Sequence, residues 1–423
     1  MLRKSEFAKN SFLLMVGTGM SQLLPIAIQP YIRRVYSAEE FGLFAQYYSI
    51  VSIVAIIAGF KYENSIVIPQ SDRSALHLFA GALFFNLLTS CLLFLVLFFV
   101  GKDLFNYFEL SPNLYQYYWL IPISVLLIST NISINYWLTR KKLFKGIVVN
   151  KISRRTAEAG TRAGLGATGV SGGVILGSII GDFVNLIVSI FQFKKSGGSS
   201  KGLTKQEIKK GLKEQIEFPK YALLPTVLNV VSANLSVFLF AMFYTDATVG
   251  QYNASRELLS VPLALISISL SQVLFQRLAE DINKGMKIQR LMRNNFLMLL
   301  SMAIVGTLII HFFAVPIFTF LFGDKWELSG EISEILVFSF AIKFIVSPLS
   351  ISFMAFKKMK ISAFWQIGYF AITLSLFLLD GLPVETFVLY LTLIDLFAYS
   401  VYGLLIYYTV RKQDDLIDRT AIE

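Results

Sequence analysis

A stripe of ionisable side chains lies in the middle of a sequence that otherwise carries few charges. At about 100° per residue, five side chains between residues 151 and 162 fall on one helix face roughly 100° wide. They are Lys151, Arg154, Arg155, Glu158 and Arg162. The flanking segments have the composition of membrane spans, where a charge costs about 2.5–3.5 kcal/mol on insertion scales. The stripe therefore needs water or an anionic partner, and it predicts the wall of a wet, cationic cavity.

A simpler interpretation places the first part of the stripe at the cytoplasmic start of a helix. Lys151, Arg154 and Arg155 could then extend their charged ends to the membrane interface. Arg162 lies about 16 Å beyond Lys151 at the helical rise of about 1.5 Å per residue. Interfacial anchoring does not explain a charge at that depth, so we favour the cavity.

The composition is that of a membrane protein with many helices. Of 423 residues, 55% are hydrophobic and only 15% are charged, and the mean hydropathy is +0.63. Repeated apolar runs predict an all-α membrane protein with about 12 transmembrane helices. The predicted spans are 11–32, 42–60, 76–100, 117–138, 147–168, 170–193, 218–243, 250–276, 295–322, 333–356, 361–379 and 384–408.

The basic residues are distributed unequally between the two sides of these spans. Of the 38 Lys and Arg residues, 27 lie in the two termini and in the loops expected on the same side, whereas 4 lie in the opposite loops. The positive-inside rule then places both termini in the cytoplasm. Topology thus accounts for the net charge of +11, and we expect no nucleic-acid partner.

The two halves of the chain share a short pattern between their first and second spans. Y-[ST]-x-x-x-[FV]-G-x-[FY] occurs at 36–44 and again 208 residues later at 244–252. Residues 194–217 are rich in Gly, Ser and Lys, which predicts a cytoplasmic basic linker with a helix on anionic lipid. We therefore expect six-helix lobes at 1–193 and 218–423. Because six is an even number, they would be parallel repeats around a central cationic cavity.

Further ionisable residues lie within the predicted spans. Arg256 and Lys343 are cations that could line the same cavity, and Asp395 is a candidate carboxylate for coupling to a proton or Na⁺. Glu158 and Asp182 are two further candidates for ion coupling. Asp182 lies beside a helix face of regularly spaced glycines, which predicts close packing against another helix. These glycines are Gly169, Gly173, Gly177 and Gly181.

The sequence offers little support for enzyme or cofactor chemistry. Gly164, Gly166 and Gly169 spell G-x-G-x-x-G, but that pattern marks a dinucleotide site only between a strand and a helix. Both histidines are isolated, Cys91 is the only cysteine, and no G-x-S-x-G motif occurs. We expect no cofactor, no metal and no catalytic residue, and hence a transporter rather than an enzyme.

Two stretches resemble the Wzx-type O-antigen and polysaccharide flippases of the multidrug/oligosaccharidyl-lipid/polysaccharide exporter superfamily. They are IQPYIRRVYSAEEFGLFAQ at 28–46 and VGQYNASRELLSVPLALISISLSQVLFQRLAE at 249–280. The resemblance implies movement of undecaprenyl-pyrophosphate-linked oligosaccharide from the inner to the outer leaflet of a bacterial inner membrane. It also implies alternating access of two lobes, and it matches Arg34 and Arg256 to arginines of the family.

The residue pattern and the resemblance predict the same kind of site. A pyrophosphate carries about two negative charges, and arginine forks bind such groups well. The predicted substrate-binding residues are Arg34, Lys151, Arg154, Arg155, Arg162, Arg256 and Lys343. Coupling to a proton, to Na⁺ or to neither is left open, as is a polysaccharide polymerase as partner. Single-chain lobes surrounded by membrane lipid favour a monomer.

Two other functions stay open at this point. The first is a drug or organic-cation antiporter of the same fold, which should have an acidic site because buried charge complements substrate charge. The excess in these spans is basic, which disfavours that function. The second is a scaffold for glycan assembly that transports nothing, and such a protein would tolerate neutralisation of every buried charge.

Overall fold

The computed structural model describes residues 27–199 and 202–420, and within these ranges the chain forms helices and no strand. Most of the first predicted span, 11–32, lies outside the described residues, and helix α1 is described at 27–35. The helices of the first half are α2 (Ala38–Ile57), α3 (Tyr62–Ser65), α4 (Asp72–Tyr107), α5 (Leu120–Arg140), α6 (Phe144–Ala167), α7 (Gly173–Lys195) and α8 (Lys205–Glu214). The others are α9 (Glu217–Phe243), α10 (Asp246–Asn283), α11 (Gln289–Phe322), α12 (Glu327–Leu349), α13 (Ile351–Ala355), α14 (Met359–Thr373) and α15 (Val384–Thr420).

Nine helical segments in the described part of the chain are long and apolar enough to cross a membrane. They are α2, α4, α5, α7, α9, α11, Asp324–Ala355, Met359–Leu379 and Val384–Ile417. Helices α6 and α10 are 24 and 38 residues long, and charged residues lower their hydropathy. The prediction of an all-α membrane protein is confirmed, while the count of about 12 spans stays a prediction.

The boundary between two compact units of the chain falls between Gly250 and Gln251. Helix α9 belongs to the first unit, where it packs against α2. The division into lobes at 1–193 and 218–423 is based on topology and on the repeated pattern, and it stays a prediction of the sequence.

In the first unit, aromatic packing fixes α7 against α4 and α5. Phe79 of α4 stacks on Phe193 of α7 with ring centroids 4.5 Å apart. Trp137 of α5 is fully buried, and its indole N–H donates to Ser196 Oγ at 2.9 Å, just after α7 ends. A buried indole needs such a partner. These contacts set the position of the helix that faces the charged stripe of α6.

In the second unit, α11, α12 and α15 share an apolar core that includes Leu299, Phe344 and Tyr402. The start of α11 is held by Asp414 near the end of α15. Its two carboxylate oxygens accept the backbone N–H groups of Ile288 and Gln289 at 2.8 and 3.0 Å. A carboxylate at this place satisfies helix donors that have no partner within the helix.

A helix is present in the basic linker, as the sequence predicts, and it is α8. Its less polar side packs against α4, where Leu212 fills a notch beside Gly81. Glu207 Oε2 lies 3.0 Å from Nε2 of the buried His77 on α4. Four lysines of α8 stay exposed: Lys205, Lys209, Lys210 and Lys213. Contact of this face with anionic lipid stays a prediction.

Candidate functional site

All five side chains of the charged stripe lie on α6, as the sequence predicts. Their burial differs along the helix. Glu158 and Arg162 are buried, whereas Lys151, Arg154 and Arg155 are half-buried. The deeper end of the stripe is therefore enclosed by protein, and the shallower end retains contact with the surroundings.

Arg154 pairs with Asp182 of α7. The guanidinium Nε donates to Asp182 Oδ1, and a second guanidinium nitrogen lies 3.4 Å from Oδ2. Asp182 is buried, and its backbone carbonyl accepts a hydrogen bond from the Asn131 side chain of α5 at 3.3 Å. A buried carboxylate is stable only when it is paired and hydrogen-bonded, so this pair ties α6 to α7.

Glu158 joins the two remaining arginines of the stripe. One carboxylate oxygen accepts a hydrogen bond from Arg155 at 3.0 Å, and the other forms an ion pair with Arg162 at 2.8 Å. Arg162 also donates from Nε to the Val174 carbonyl at 3.1 Å, and its guanidinium lies 4.5 Å from the ring centroid of Phe44. The Arg162 side chain is only 8% exposed, against 30% for that of Arg155. Arg162 is thus held by protein groups, while Arg155 keeps an open side.

The glycines of α7 allow this charged face to approach closely. A β-carbon added to Gly177 would lie 2.5 Å from Arg162 Cγ, and one added to Gly181 would lie 2.9 Å from the Arg154 carbonyl oxygen. Any larger residue at these positions would push α6 away. The predicted glycine face is present from Gly173 to Gly181. Gly169 does not share it, because it lies in the turn before α7 with a φ of +69°.

The first copy of the repeated pattern holds the junction between α6 and α7. The Tyr36 hydroxyl donates to the Arg162 carbonyl at 2.7 Å. Glu40 accepts the backbone N–H of Gly172 at 3.0 Å with one oxygen and that of Ser37 at 3.2 Å with the other. Ser37 and Glu40 thereby form the capping box of α2. The stripe and the start of α2 are parts of one hydrogen-bonded assembly.

The assembly carries a small positive excess. Three arginines face two carboxylates in the ion pairs described above, and the half-buried Lys151 lies one turn before Arg154. Sequence reasoning counted all these cations toward a cavity wall. It could not assign partners, because a pairing across helices is not encoded in the periodicity of one helix. The arginine of the stripe that is most open to an outside anion is Arg155, whose side chain is 30% exposed.

The remaining predicted arginines occupy other helices. Arg34 is exposed near the end of α1, and Arg256 is half-buried in α10. The neighbouring Arg33, which the sequence analysis did not select, is buried with its guanidinium 4.4 Å from the ring centroid of Phe41. A run of two arginines gives no sequence signal for which one turns inward.

A second charged cluster lies in the second unit and joins two predicted residues of different roles. Lys343 Nζ and Ser339 Oγ of α12 both donate to Asp395 Oδ2 at 2.5 Å. The Tyr369 hydroxyl of α14 donates to Asp395 Oδ1 at 2.7 Å. Asp395 is buried on α15. The sequence analysis missed Ser339 and Tyr369, because neutral hydroxyls in apolar spans are common and carry no charge signal.

Aromatic rings surround this second cluster. Lys343 Nζ lies 5.5 Å from the Phe340 ring centroid and 5.6 Å from that of Tyr399, within the range of cation–π contacts. Trp365 stacks on Tyr402 with centroids 3.9 Å apart. Among the described residues, the ammonium group therefore has one anionic partner and two aromatic neighbours.

A metal centre of protein ligands has no support in the parts of the chain that the structure covers. Across 27–199 and 202–420, no group of three or more His, Cys, Asp or Glu side chains is arranged to hold a metal ion.

The described part of the chain has the helices of a multi-pass, all-helical membrane protein. The chain belongs to the polysaccharide biosynthesis protein family, whose model matches residues 32–330. It is 27% identical over 158 residues to an uncharacterized membrane protein in the cps region of Klebsiella pneumoniae, covering 36% of this chain and 31% of that protein. It is 23% identical over 163 residues to the teichuronic acid biosynthesis protein TuaB of Bacillus subtilis strain 168, covering 38% and 33%. The matches thus span about a third of the length of these curated relatives.

Two solved structures show how far the fold is shared. An inward-facing multidrug resistance MATE family transporter of the MOP superfamily has a TM-score of 0.73 at 12% identity, covering 95% of this chain and 98% of that chain. The lipid II flippase MurJ in an inward closed conformation has a TM-score of 0.73 at 14% identity, covering 97% and 91%. At these identities the likeness concerns the fold alone.

Proposed function

We propose that this protein is a flippase that moves undecaprenyl-pyrophosphate-linked oligosaccharide, of the O-antigen or capsule type, from the inner to the outer leaflet of a bacterial inner membrane. The observation that carries the proposal is the positive excess on α6 at a half-open position. Family membership in polysaccharide biosynthesis supports the glycan part of the substrate. The fold shared with a lipid II flippase supports the lipid-linked part.

The charges of α6 suit a pyrophosphate head group. Arg155 is fixed by Glu158 at 3.0 Å yet has a side chain that is 30% exposed, so it can share its remaining donors with an incoming phosphate oxygen. Arg154 and Lys151 lie on the same helix face and are half-buried. Arginine forks bind phosphate oxygens with two donors at once. Arg162 has a different role, because it is buried, bonded to the Val174 carbonyl and ion-paired with Glu158, so it positions the stripe.

The rest of the substrate has simpler requirements. Tyr, Trp and Asn side chains along the helices can bind sugar hydroxyls or stack on sugar rings, while the polyprenyl chain stays in lipid. Arg34, Arg256 and Lys343 are further proposed contacts of the head group. Transport would follow from alternating exposure of the bound head group to the two sides of the membrane. A proton, Na⁺ or neither could supply the driving force.

The proposal is tested by flipping in proteoliposomes that contain only this protein. A fluorescent undecaprenyl-pyrophosphate oligosaccharide is challenged from outside with a membrane-impermeant quencher. We expect the protected pool to become accessible only when the protein is present. Arg155→Gln should slow this step by about tenfold or more, since one charge-assisted contact is worth about 1.5–3 kcal/mol.

The matched control is Lys145→Gln, which removes the same charge from an exposed position in the first turn of α6. It should flip at the normal rate. Arg155→Gln is a sharper variant than any that includes Arg162, because loss of the buried Arg162 would disturb folding. If Arg155→Gln and Lys145→Gln flip equally well, α6 does not bind the head group.

A multidrug transporter has the same fold, since the MATE and MurJ structures match with the same TM-score of 0.73. The charge of the site distinguishes the two functions, because the excess of arginine on α6 would repel an organic cation. The same vesicles, loaded with a fluorescent organic cation, should show no transport. A folded protein that moves neither substrate under proton or Na⁺ gradients would instead be a scaffold.

A further inference from the structure

Asp395 is a buried carboxylate that accepts three hydrogen bonds from described residues of its own unit. Oδ2 accepts from Lys343 and Ser339, and Oδ1 accepts from Tyr369. One of these three donors is charged, so the pair is electrically neutral. The partners come from α12 and α14, and the carboxylate belongs to α15.

The two charged ends of this pair differ in their access to the surroundings. The side chain of Asp395 is 2% exposed, whereas that of Lys343 is 21% exposed. Lysine carries its charge on a flexible four-carbon stem, and Lys343 Nζ also lies near the rings of Phe340 and Tyr399. The ammonium group can therefore leave by rotation of its own side chain, while the carboxylate cannot leave without movement of α15.

We propose that Lys343 is a tethered cation that fills the Asp395 site in the substrate-free protein and is exchanged for a free monovalent cation when a phosphate group draws it away. The filled site is closed to Na⁺, because the ammonium group already occupies the place of a counter-ion. The exchange follows from electrostatics. A buried carboxylate left without a positive partner is strongly destabilised, so Lys343 can depart only when another cation enters.

This inference rests on the proposed function for its second half, the withdrawal of Lys343 by the phosphate of the substrate. Its first half, the occupation of the Asp395 site by Lys343, does not depend on whether the protein transports a substrate. One cation enters and one leaves the Asp395 site, so its net charge is conserved. Binding of an anionic head group at Lys343 and binding of a cation at Asp395 thereby favour each other, and linkage requires the effect to be reciprocal.

The first half is tested by thermal unfolding of the purified full-length protein in NaCl and in choline chloride at equal ionic strength. The wild-type Tm should be the same in both salts. Lys343→Met should unfold at a lower temperature in choline chloride and be stabilised by Na⁺ by about 3 °C or more. Lys343→Met/Asp395→Asn should lose the Na⁺ response, and Lys343→Arg, which keeps a tethered cation, should never show one.

Three results would overturn the closed site: an Asp395-dependent Na⁺ response in the wild type, the absence of a response in Lys343→Met, or a response in Lys343→Arg. If Lys343→Met does not fold, Lys343→Gln replaces it, and the same comparison is made by direct titration with Na⁺ in a calorimeter. Heat that depends on Asp395 in Lys343→Gln but is absent in the wild type supports the proposal, and the reverse pattern refutes it.

The second half is tested with inorganic pyrophosphate as the probe. Pyrophosphate should make the wild-type Tm respond to Na⁺, and Asp395→Asn should abolish that response. A wild-type protein that stays insensitive to Na⁺ in pyrophosphate refutes the exchange even if flipping is observed. If the exchange is seen in this assay but the flipping assay fails, the cation exchange between Lys343 and Asp395 is supported and the flippase function is rejected.

Discussion

Gly42 of α2 and Gly250 of α10 each face a backbone carbonyl of the other helix. A β-carbon on Gly42 would lie 1.9 Å from the Asp246 carbonyl oxygen, and one on Gly250 would lie 1.9 Å from that of Ala38. Gly42 thus faces Asp246, four residues before Gly250, and Gly250 faces Ala38, four residues before Gly42. The two glycines occupy matched positions in the repeated pattern, which is the relationship that the proposed internal repeat would produce. A side-chain network on Asp246, with Gln46 at 2.7 Å and Ser111 at 2.6 Å, fixes the same crossing.

Alanine at either glycine should separate the two helices. We expect Gly42→Ala and Gly250→Ala each to lower stability by about 1–3 kcal/mol, the usual range for overpacking, because backbone atoms cannot move aside as a side chain can. Gly306→Ala is the matched control, since Gly306 lies in α11 with nothing within 4 Å of an added β-carbon. It should be neutral or slightly stabilising. Thermal unfolding in detergent measures all three, and equal Tm values would contradict the tight crossing.

Asp182→Asn tests whether this carboxylate holds α6 in place. The variant leaves Arg154 without its anionic partner, so we expect destabilisation of about 3–5 kcal/mol. Arg154→Gln/Asp182→Asn should recover part of that loss, because it removes the uncompensated charge as well. Asp103→Asn, at an exposed position of α4, serves as control. An unchanged Tm in Asp182→Asn with altered ion dependence of flipping would make Asp182 a coupling residue instead.

Leu212→Asn should release α8 from α4. The change removes the apolar group that fills the notch at Gly81. Leu212 is half-buried, so its contribution is at most the roughly 1.5–3 kcal/mol of a fully buried leucine. Hydrogen exchange of the amides in α8 should accelerate by about tenfold or more as local opening becomes easier. Lys213→Gln changes the adjacent exposed residue and should leave the exchange rates as they are. Equal protection in both variants would show that α8 is not held by this contact.

Asp414→Ala should weaken the start of α11. The substitution leaves the N–H groups of Ile288 and Gln289 without their acceptor, and loss of such a cap costs about 0.5–2 kcal/mol. The exposed neighbour Asp415 provides the control variant Asp415→Ala. In chemical unfolding, Asp414→Ala should have a lower denaturant midpoint than Asp415→Ala. Equal midpoints would mean that water satisfies the two amides as well as Asp414 does.

Sequence periodicity predicted the membrane helices and the charged face of α6, because both depend on residues a few positions apart in one helix. The glycine face of α7 was also predicted from residue spacing, with Gly169 as the error, because that residue precedes the helix. Pairings such as Lys343 with Asp395 join residues 52 positions apart and depend on how helices pack. The sequence indicated that both charges were unusual in a membrane span, but it assigned them to different roles.

The same limit applies to α8. Its composition predicted a surface helix on lipid, and its contact with α4 depends on a notch that exists only because Gly81 has no side chain. No pattern within residues 194–217 reports the shape of another helix. The lysine-rich face was visible in the sequence, whereas the partner of the opposite face was not.

Docking of α8 on α4 also restricts the position of α9. Only Gln215 and Ile216 separate the end of α8 from the start of α9 at Glu217. Fully extended, such a connection spans roughly 10 Å. While α8 stays on α4, the first turn of α9 is confined to a sphere of that radius. A larger displacement of α9 would require α8 to separate from α4 first. A linker that the sequence predicts to be flexible therefore limits how far α9 can move.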